Sequence, residues 1–343
     1  MKRHIPILLV SVVVFLSSCD TEETKRDRFF IQGNEALKMR EYDKAVNYFS
    51  NAIKLDDKFE RAYNNRGVAF IEDDHPYEAI QDYNMAINLK PDYYDAIFNR
   101  AYAYEQVGNY DQALEDVETV TKVFPDSSFV YFYRGLLETK LRVYEQAMGS
   151  FRKALALDPQ NIETQINIAT LFYFQNKLDT AEKQLKQILR KSPQEATALN
   201  TLSQVYLARE DHQNALITIN EAIRLQPNDP YFLNNRGQVF LSMDSLRLAN
   251  EDINKSIRIA PDNNWAYRNK GIYYLMKGDP DQAIRLLKKI SEEPDFVDEV
   301  YSYLGEAYLA KSMKEQACEA WKNGAENNEL RSTQYLLQYC END

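Results

Sequence analysis

Three histidines, three cysteines and 52 aspartates and glutamates are the side chains of this 343-residue chain that could bind a metal, attack a substrate or move protons. A metal site draws several such ligands into one small volume, usually from short sequence spacings. His4 stands in an N-terminal apolar segment, while His75 and His212 are distant from each other and from every cysteine. No glycine-rich phosphate loop, nucleophile elbow or paired-histidine zinc motif occurs. The carboxylates are spread along the chain, where solvation is their ordinary role. We therefore expect no metal, no cofactor, no small-molecule substrate and no enzymatic activity. The formal net charge of −11 also disfavours nucleic acid and anionic lipid as partners.

The cysteines suggest different chemistry. Met1-Lys2-Arg3 is a basic head, and Ile5–Leu16 is an apolar run too short to cross a bilayer as a helix but suited to a signal-peptide core. The following Leu16-Ser17-Ser18-Cys19 resembles a bacterial lipobox. That resemblance implies a signal peptide over 1–18, lipidation of Cys19, and a charged tether over 19–25. It places the protein in the bacterial cell envelope as a lipid-anchored membrane protein, periplasmic or surface-facing. Cys318 and Cys340 could form a disulfide joining the last repeat to a terminal helix, or could be buried thiols.

The elements that position these residues come from a strict repeat. Alanine occurs at 45, 79, 113, 147, 181, 215, 249, 283 and 317, always 34 residues apart. Proline keeps the same beat at 91, 125, 159, 193, 227 and 261, and glycine at 33, 67, 135, 237, 271 and 305. Within one unit Tyr63, Gly67 and Phe70 share a helical face, the chain breaks at Asp73-Asp74-His75, and Ala79, Tyr83 and Ala86 make a second stripe. Each unit is thus a helical hairpin, which must stack on its neighbours to bury both sides. Arg66, Arg100 and Arg236 each have an aspartate 16 positions on (Asp82, Asp116, Asp252), which predicts ion pairs between the two helices of one hairpin.

With positions numbered from the start of each unit, aromatics at 4, 11 and 24, small residues at 8, 20 and 27 and proline at 32 resemble the tetratricopeptide repeat. The resemblance implies an all-α, right-handed superhelical solenoid. Its nine hairpins would span 26–59, 60–93, 94–127, 128–161, 162–195, 196–229, 230–263, 264–297 and 298–331, with a capping helix over 332–343. Gln165 departs from the pattern at position 4.

The resemblance also implies that the first helices line a groove through positions 2, 5, 6, 9, 12 and 13. Position 6 is asparagine in Asn65, Asn99, Asn167, Asn235 and Asn269, whose amides could hold a peptide backbone, or could equally be solvated or bond between neighbouring helices. Phe98, Tyr102, Phe129, Phe132, Tyr133, Tyr173 and Phe174 cluster in repeats three to five as candidate anchors, with Trp265 further on. The basic clamp that chaperone-binding relatives use for an acidic C-terminus is missing from Phe30, Asn34, Asn65, Asp95 and Asn99. The expected role is an envelope-anchored scaffold holding a protein partner in its groove. The alternative is a structural subunit of an envelope assembly that packs by its convex face or ends.

Overall fold

The computed structural model describes residues 21–293 and 297–340. Among these residues all regular structure is helical, in two compact units divided at Val120/Thr121. The first unit holds α1 (Glu22–Lys38), α2 (Tyr42–Leu55), α3 (Glu60–Glu72), α4 (Pro76–Leu89), α5 (Tyr94–Gln106) and most of α6 (Tyr110–Val123). The second holds α7 (Ser128–Lys140), α8 (Tyr144–Leu157), α9 (Ile162–Phe174), α10 (Leu178–Lys191), α11 (Ala196–Ala208), α12 (His212–Leu225), α13 (Pro230–Ser242), α14 (Leu246–Ile259), α15 (Asn264–Met276), α16 (Pro280–Ser291), α17 (Val300–Ala310), α18 (Lys314–Glu326) and α19 (Leu330–Tyr339). Odd helices pair with the even ones that follow, giving nine hairpins, and α19 packs on α17 and α18 as the cap. Cys318 and Cys340 are joined by a disulfide that ties this cap to the last hairpin. The signal peptide and Cys19 lie outside the described residues. One boundary needs correction. Glu22–Lys25 belong to α1 rather than to the tether, because Thr21 caps the helix, which then runs on into the first hairpin.

The hairpin interior explains the repeat. All nine period alanines have no exposed surface. Position 8 approaches the position-24 side chain so closely that a Cβ on Gly67 would stand 2.7 Å from the Tyr83 ring. Where position 8 is Ala101, Ala169 or Ser203, position 24 is the smaller Val117, Leu185 or Ile219. The rings of Phe49, Tyr83, Phe151 and Trp321 all stand over glycine, while Gly237 and Gly271 face the smaller Ile253 and Leu287, so it is the largest side chains that require the missing Cβ.

Each first helix ends in one motif. Position 15 is left-handed in every repeat (Arg40, Asp74, Gly108, Arg142, Asn176, Glu210, Asp244, Gly278, Ser312), although only two of these residues are glycine. The next amide closes back on the carbonyl of position 11, as from His75 to Phe70 at 2.8 Å.

The predicted ion pairs are present and are tighter than surface pairs. Arg66 donates from Nε and Nη2 to the two Asp82 oxygens, both at 2.7 Å, and from Nη1 to Ser50 of the preceding repeat. Arg100 does the same with Asp116 and Asn84, and Arg236 with Asp252 and Asn220. The three aspartates are buried. Burial raises the Asp82 and Asp116 carboxyls above their ordinary range, against the pull of their arginines. Repeat four keeps the geometry by another route. Arg134 donates to buried Glu138 on its own helix, and Ser150 donates to the same carboxylate from α8.

Candidate protein-binding site

Four of the five position-6 asparagines face the neighbouring first helix. Asn65 Nδ2 donates to Asn34 at 2.7 Å and Asn99 to Asn64 at 3.1 Å in the first unit. In the second, Asn235 donates to Asn200 and Asn269 to Asn234, both at 2.8 Å. Asn269 is fully buried. Asn167 instead donates to the Glu163 carbonyl of its own helix. These amides cross-link adjacent hairpins, so the bonding-between-helices reading describes the isolated chain. An amide already engaged in this way offers a ligand only its remaining donor and acceptor capacity.

The first helices of repeats five to eight enclose a cavity of about 550 Å³ in the second unit, within the range of ligand pockets. Tyr173, Phe174, Tyr231 and Trp265 form its aromatic walls, and Thr170, Asn200, Thr201, Gln204, Asn234, Asn235 and Gln238 supply neutral polar groups. All of these fall on positions 2, 5, 6, 9, 12 or 13. Gln204 Nε2 is buried with no hydrogen-bond partner, a costly arrangement that an acceptor from a ligand would relieve. Buried Arg268 holds its guanidinium 4.9 Å from the Trp265 ring and bonds the Asn269 side chain and the Asp298 carbonyl. This contact helps hold the partly exposed indole at the cavity wall. Burial raises the Tyr173 hydroxyl well above its ordinary value, so it stays a neutral donor.

One wall comes from outside the helical pattern. The linker before α17 contributes Asp298 and Glu299, the latter with φ of 60°. Glu329, itself buried, stands in for the missing cap of α17: its carboxylate accepts from the amides of Tyr301 and Ser302 and from the hydroxyls of Ser302 and Ser332. From the other end of the unit, Arg142 in the turn of repeat four reaches the Asp298 carboxylate at 3.3 Å and the Asn327 carbonyl at 3.1 Å. Within the second unit, repeat four thus touches repeat nine.

The remaining sequence candidates are divided among several places. Tyr173, Phe174, Asn235 and Trp265 line the cavity. Phe129 is 61 % exposed in the second unit, apart from the cavity lining. Tyr133 is buried, and Phe132 packs against Phe151 at 5.8 Å; these two are hairpin packing and not open anchors. Phe98 and Tyr102 lie in the first unit, half-buried and exposed respectively. The cavity therefore sits further along the chain than the aromatic cluster of repeats three to five suggested. Gln204, Arg268 and Glu299 were missed: position 9 was in the groove rule, but a lone glutamine carries no signal, and the linker breaks the phase. Among the described residues no group of three His, Cys, Asp or Glu is placed to hold a metal, and no helix is long and apolar enough to cross a membrane.

A chain of stacked hairpins with an amide- and aromatic-lined first-helix face defines a helical-repeat scaffold. A family model described as tetratricopeptide repeat matches residues 32–94, 98–162 and 166–230. The chain belongs to the tetratricopeptide repeat family. Among solved structures, a tetratricopeptide repeat protein from Parabacteroides merdae ATCC 43184 is similar at a TM-score of 0.69 and 17 % identity, covering 74 % of this chain and 99 % of that one. Yeast Tom70 gives 0.56 and 22 %, covering 85 % and 65 %. A human IFIT1 dimer with m7Gppp-AAAA gives 0.61 and 13 %, covering 91 % and 80 %. At these identities the likeness is one of fold. No curated protein sequence matches.

Proposed function

We propose that this protein is a non-enzymatic scaffold, held at a bacterial envelope membrane through a lipid on Cys19, that binds a segment of a partner protein in the cavity of repeats five to eight. The observation that carries this reading is the convergence there of aromatic faces, neutral amides and the unpaired Gln204 donor. Aromatic side chains give large contact area with few rotors to freeze, and amides can pair with a peptide backbone without demanding charge. Of the charged lining residues Arg268, Asp298 and Glu299, Asp298 is paired with Arg142 from outside the lining, so no excess of positive charge awaits the acidic tail that a basic clamp would hold. The lipobox-like Leu16-Ser17-Ser18-Cys19 supports the anchor.

Site-specific photocrosslinking in intact cells tests the binding face. A photoreactive residue at Tyr231 should trap a partner, and Trp265→Ala in the same protein should reduce the adduct about tenfold or more, as loss of an aromatic anchor does. The helical circular dichroism signal should not change. Adducts found only from second-helix positions such as Lys183 would refute the groove and favour a structural subunit. Equal palmitate labelling of wild type and Cys19→Ala would refute the anchor.

A further inference from the structure

The departure at Gln165 has left a second cavity. In repeat two, the position-4 side chain Tyr63 is buried and packs against Ile53, Ala86 and Ile87, which are position 28 of the previous repeat and positions 27 and 28 of its own. The equivalent surroundings in repeat five include Leu155 and Ile188. Gln165 does not fill the space between them. Its Nε2 turns back to the Pro159 carbonyl at 3.2 Å. A cavity of about 340 Å³ results, lined by the apolar Leu155, Ile168, Phe172 and Ile188, by three glutamines including Gln165 itself, and by Arg152 and Lys191. It is walled by α8, α9 and α10, and none of its lining is shared with the cavity of repeats five to eight.

The charged residues of this lining are opposite in sign to the chain as a whole. The protein carries −11, yet no carboxylate lines this cavity. Arg152 and Lys191 are exposed and make no ion pair among the described residues. At physiological salt the field of remote charges is screened within about 8 Å, so these two cations, not the net charge, govern what approaches. Apolar side chains beside two cations fit one large apolar side chain with carboxylates next to it.

We propose that this cavity is a second docking site, which receives a phenylalanine- or leucine-sized side chain from an acidic segment of a partner protein. The segment supplies the side chain that position 4 lacks, and its carboxylates meet Arg152 and Lys191. The site is independent of the groove.

Fluorescence anisotropy with the whole protein tests it. The probe is a short fluorescein-labelled peptide with phenylalanine between glutamates. Wild type should bind it saturably, and a lysine-flanked peptide about tenfold more weakly, since two exposed ion pairs contribute roughly 1 kcal/mol or somewhat more together. Gln165→Phe should weaken binding at least about tenfold without lowering the thermal midpoint, because an aromatic at position 4 is what other repeats carry. Arg152→Glu with Lys191→Glu should do the same through charge and reverse the preference between the two peptides. Trp265→Ala should leave the affinity unchanged, so failure of the groove reading is separately visible. Absence of saturable binding, equal affinity for both peptides, or full binding by Gln165→Phe would overturn the proposal. So would dimerisation of wild type, seen by sedimentation and abolished by Gln165→Phe, which would make a second copy the occupant.

Discussion

Removing the carboxylate of Asp82 should loosen the α3–α4 hairpin by a predictable amount. Breaking one partner out of a buried pair costs about 3–5 kcal/mol, because the other charge is left without compensation. The Arg66 side chain is 21 % exposed and keeps Ser50 as an acceptor, so water and that hydroxyl recover part of the loss. For Asp82→Ala we expect roughly 2–3 kcal/mol, hence amide exchange in α3 and α4 faster by roughly 30- to 150-fold at neutral pH. Replacing the pair together, as Arg66→Met with Asp82→Leu, should restore most of the protection, since a buried pair contributes little net stability over apolar side chains of similar volume.

The pH dependence has a defined sign. Burial lifts the Asp82 carboxyl above its ordinary 3.8, so the folded chain holds this proton more tightly than the unfolded one. Its contribution to stability is complete below pH 3.8 and falls as pH rises through the folded value. Asp82→Asn should therefore flatten the stability curve just above pH 3.8. Hydrogen exchange read by mass spectrometry decides both points. Unchanged exchange in Asp82→Ala, or a double variant as labile as the single one, would refute the reasoning.

Three further outcomes follow from the packing. Gly67→Ala should cost about 1–3 kcal/mol of overpacking against Tyr83, seen as a lower thermal midpoint, and a second change Tyr83→Val should recover part of it by reproducing the native Ala101/Val117 pairing. Cys318→Ser with Cys340→Ser removes a cross-link over 22 residues, worth about 3 kcal/mol on chain entropy, and should make α19 the first site of limited proteolysis. Glu329→Ala should leave the first amides of α17 without their acceptor and the Ser302 and Ser332 hydroxyls with only each other, at a cost of about 2–3 kcal/mol, read as faster exchange confined to α17 and α19.

The fold was legible because it is built from one instruction given nine times. An alanine every 34 residues has a single physical explanation, a point where two helices touch, and the structure buries every one of them. The intra-hairpin ion pairs were legible for the same reason, since each aspartate at position 23 (Asp82, Asp116, Asp252) has an arginine at position 7 of its own repeat. What escaped was whatever breaks phase or is written in backbone angles. Seven of nine left-handed turn residues are not glycine, so composition does not mark them. Asp298 and Glu299 of the cavity wall lie before α17 in a stretch that the helical periodicity does not cover. The hidden cap from Glu329 occupies the proline position of repeat nine, and a glutamate there reads as an ordinary surface residue. Tyr133 is buried at position 6, as Thr201 and Asn269 are, so the position number alone does not mark an open side chain.

The asparagines carry one further lesson about where such a scaffold can bind. Their bridges run from repeat one to two and two to three within the first unit, and from six to seven and seven to eight within the second. At position 6 of repeats four, five and six stand buried Tyr133, Asn167 bonded to its own helix, and Thr201 bonded to the Thr197 carbonyl. No amide bridge crosses between these hairpins through position 6. Gln204, one turn further along α11, is where a buried donor is left without an acceptor, and it faces the cavity. Amides that satisfy one another stiffen the stack and have little left for a partner. The cavity takes in both kinds of repeat: it begins at repeat five, where the bridge is absent, and also includes the bridged Asn200, Asn234 and Asn235, so Gln204 is the lining amide whose donor is still without a partner.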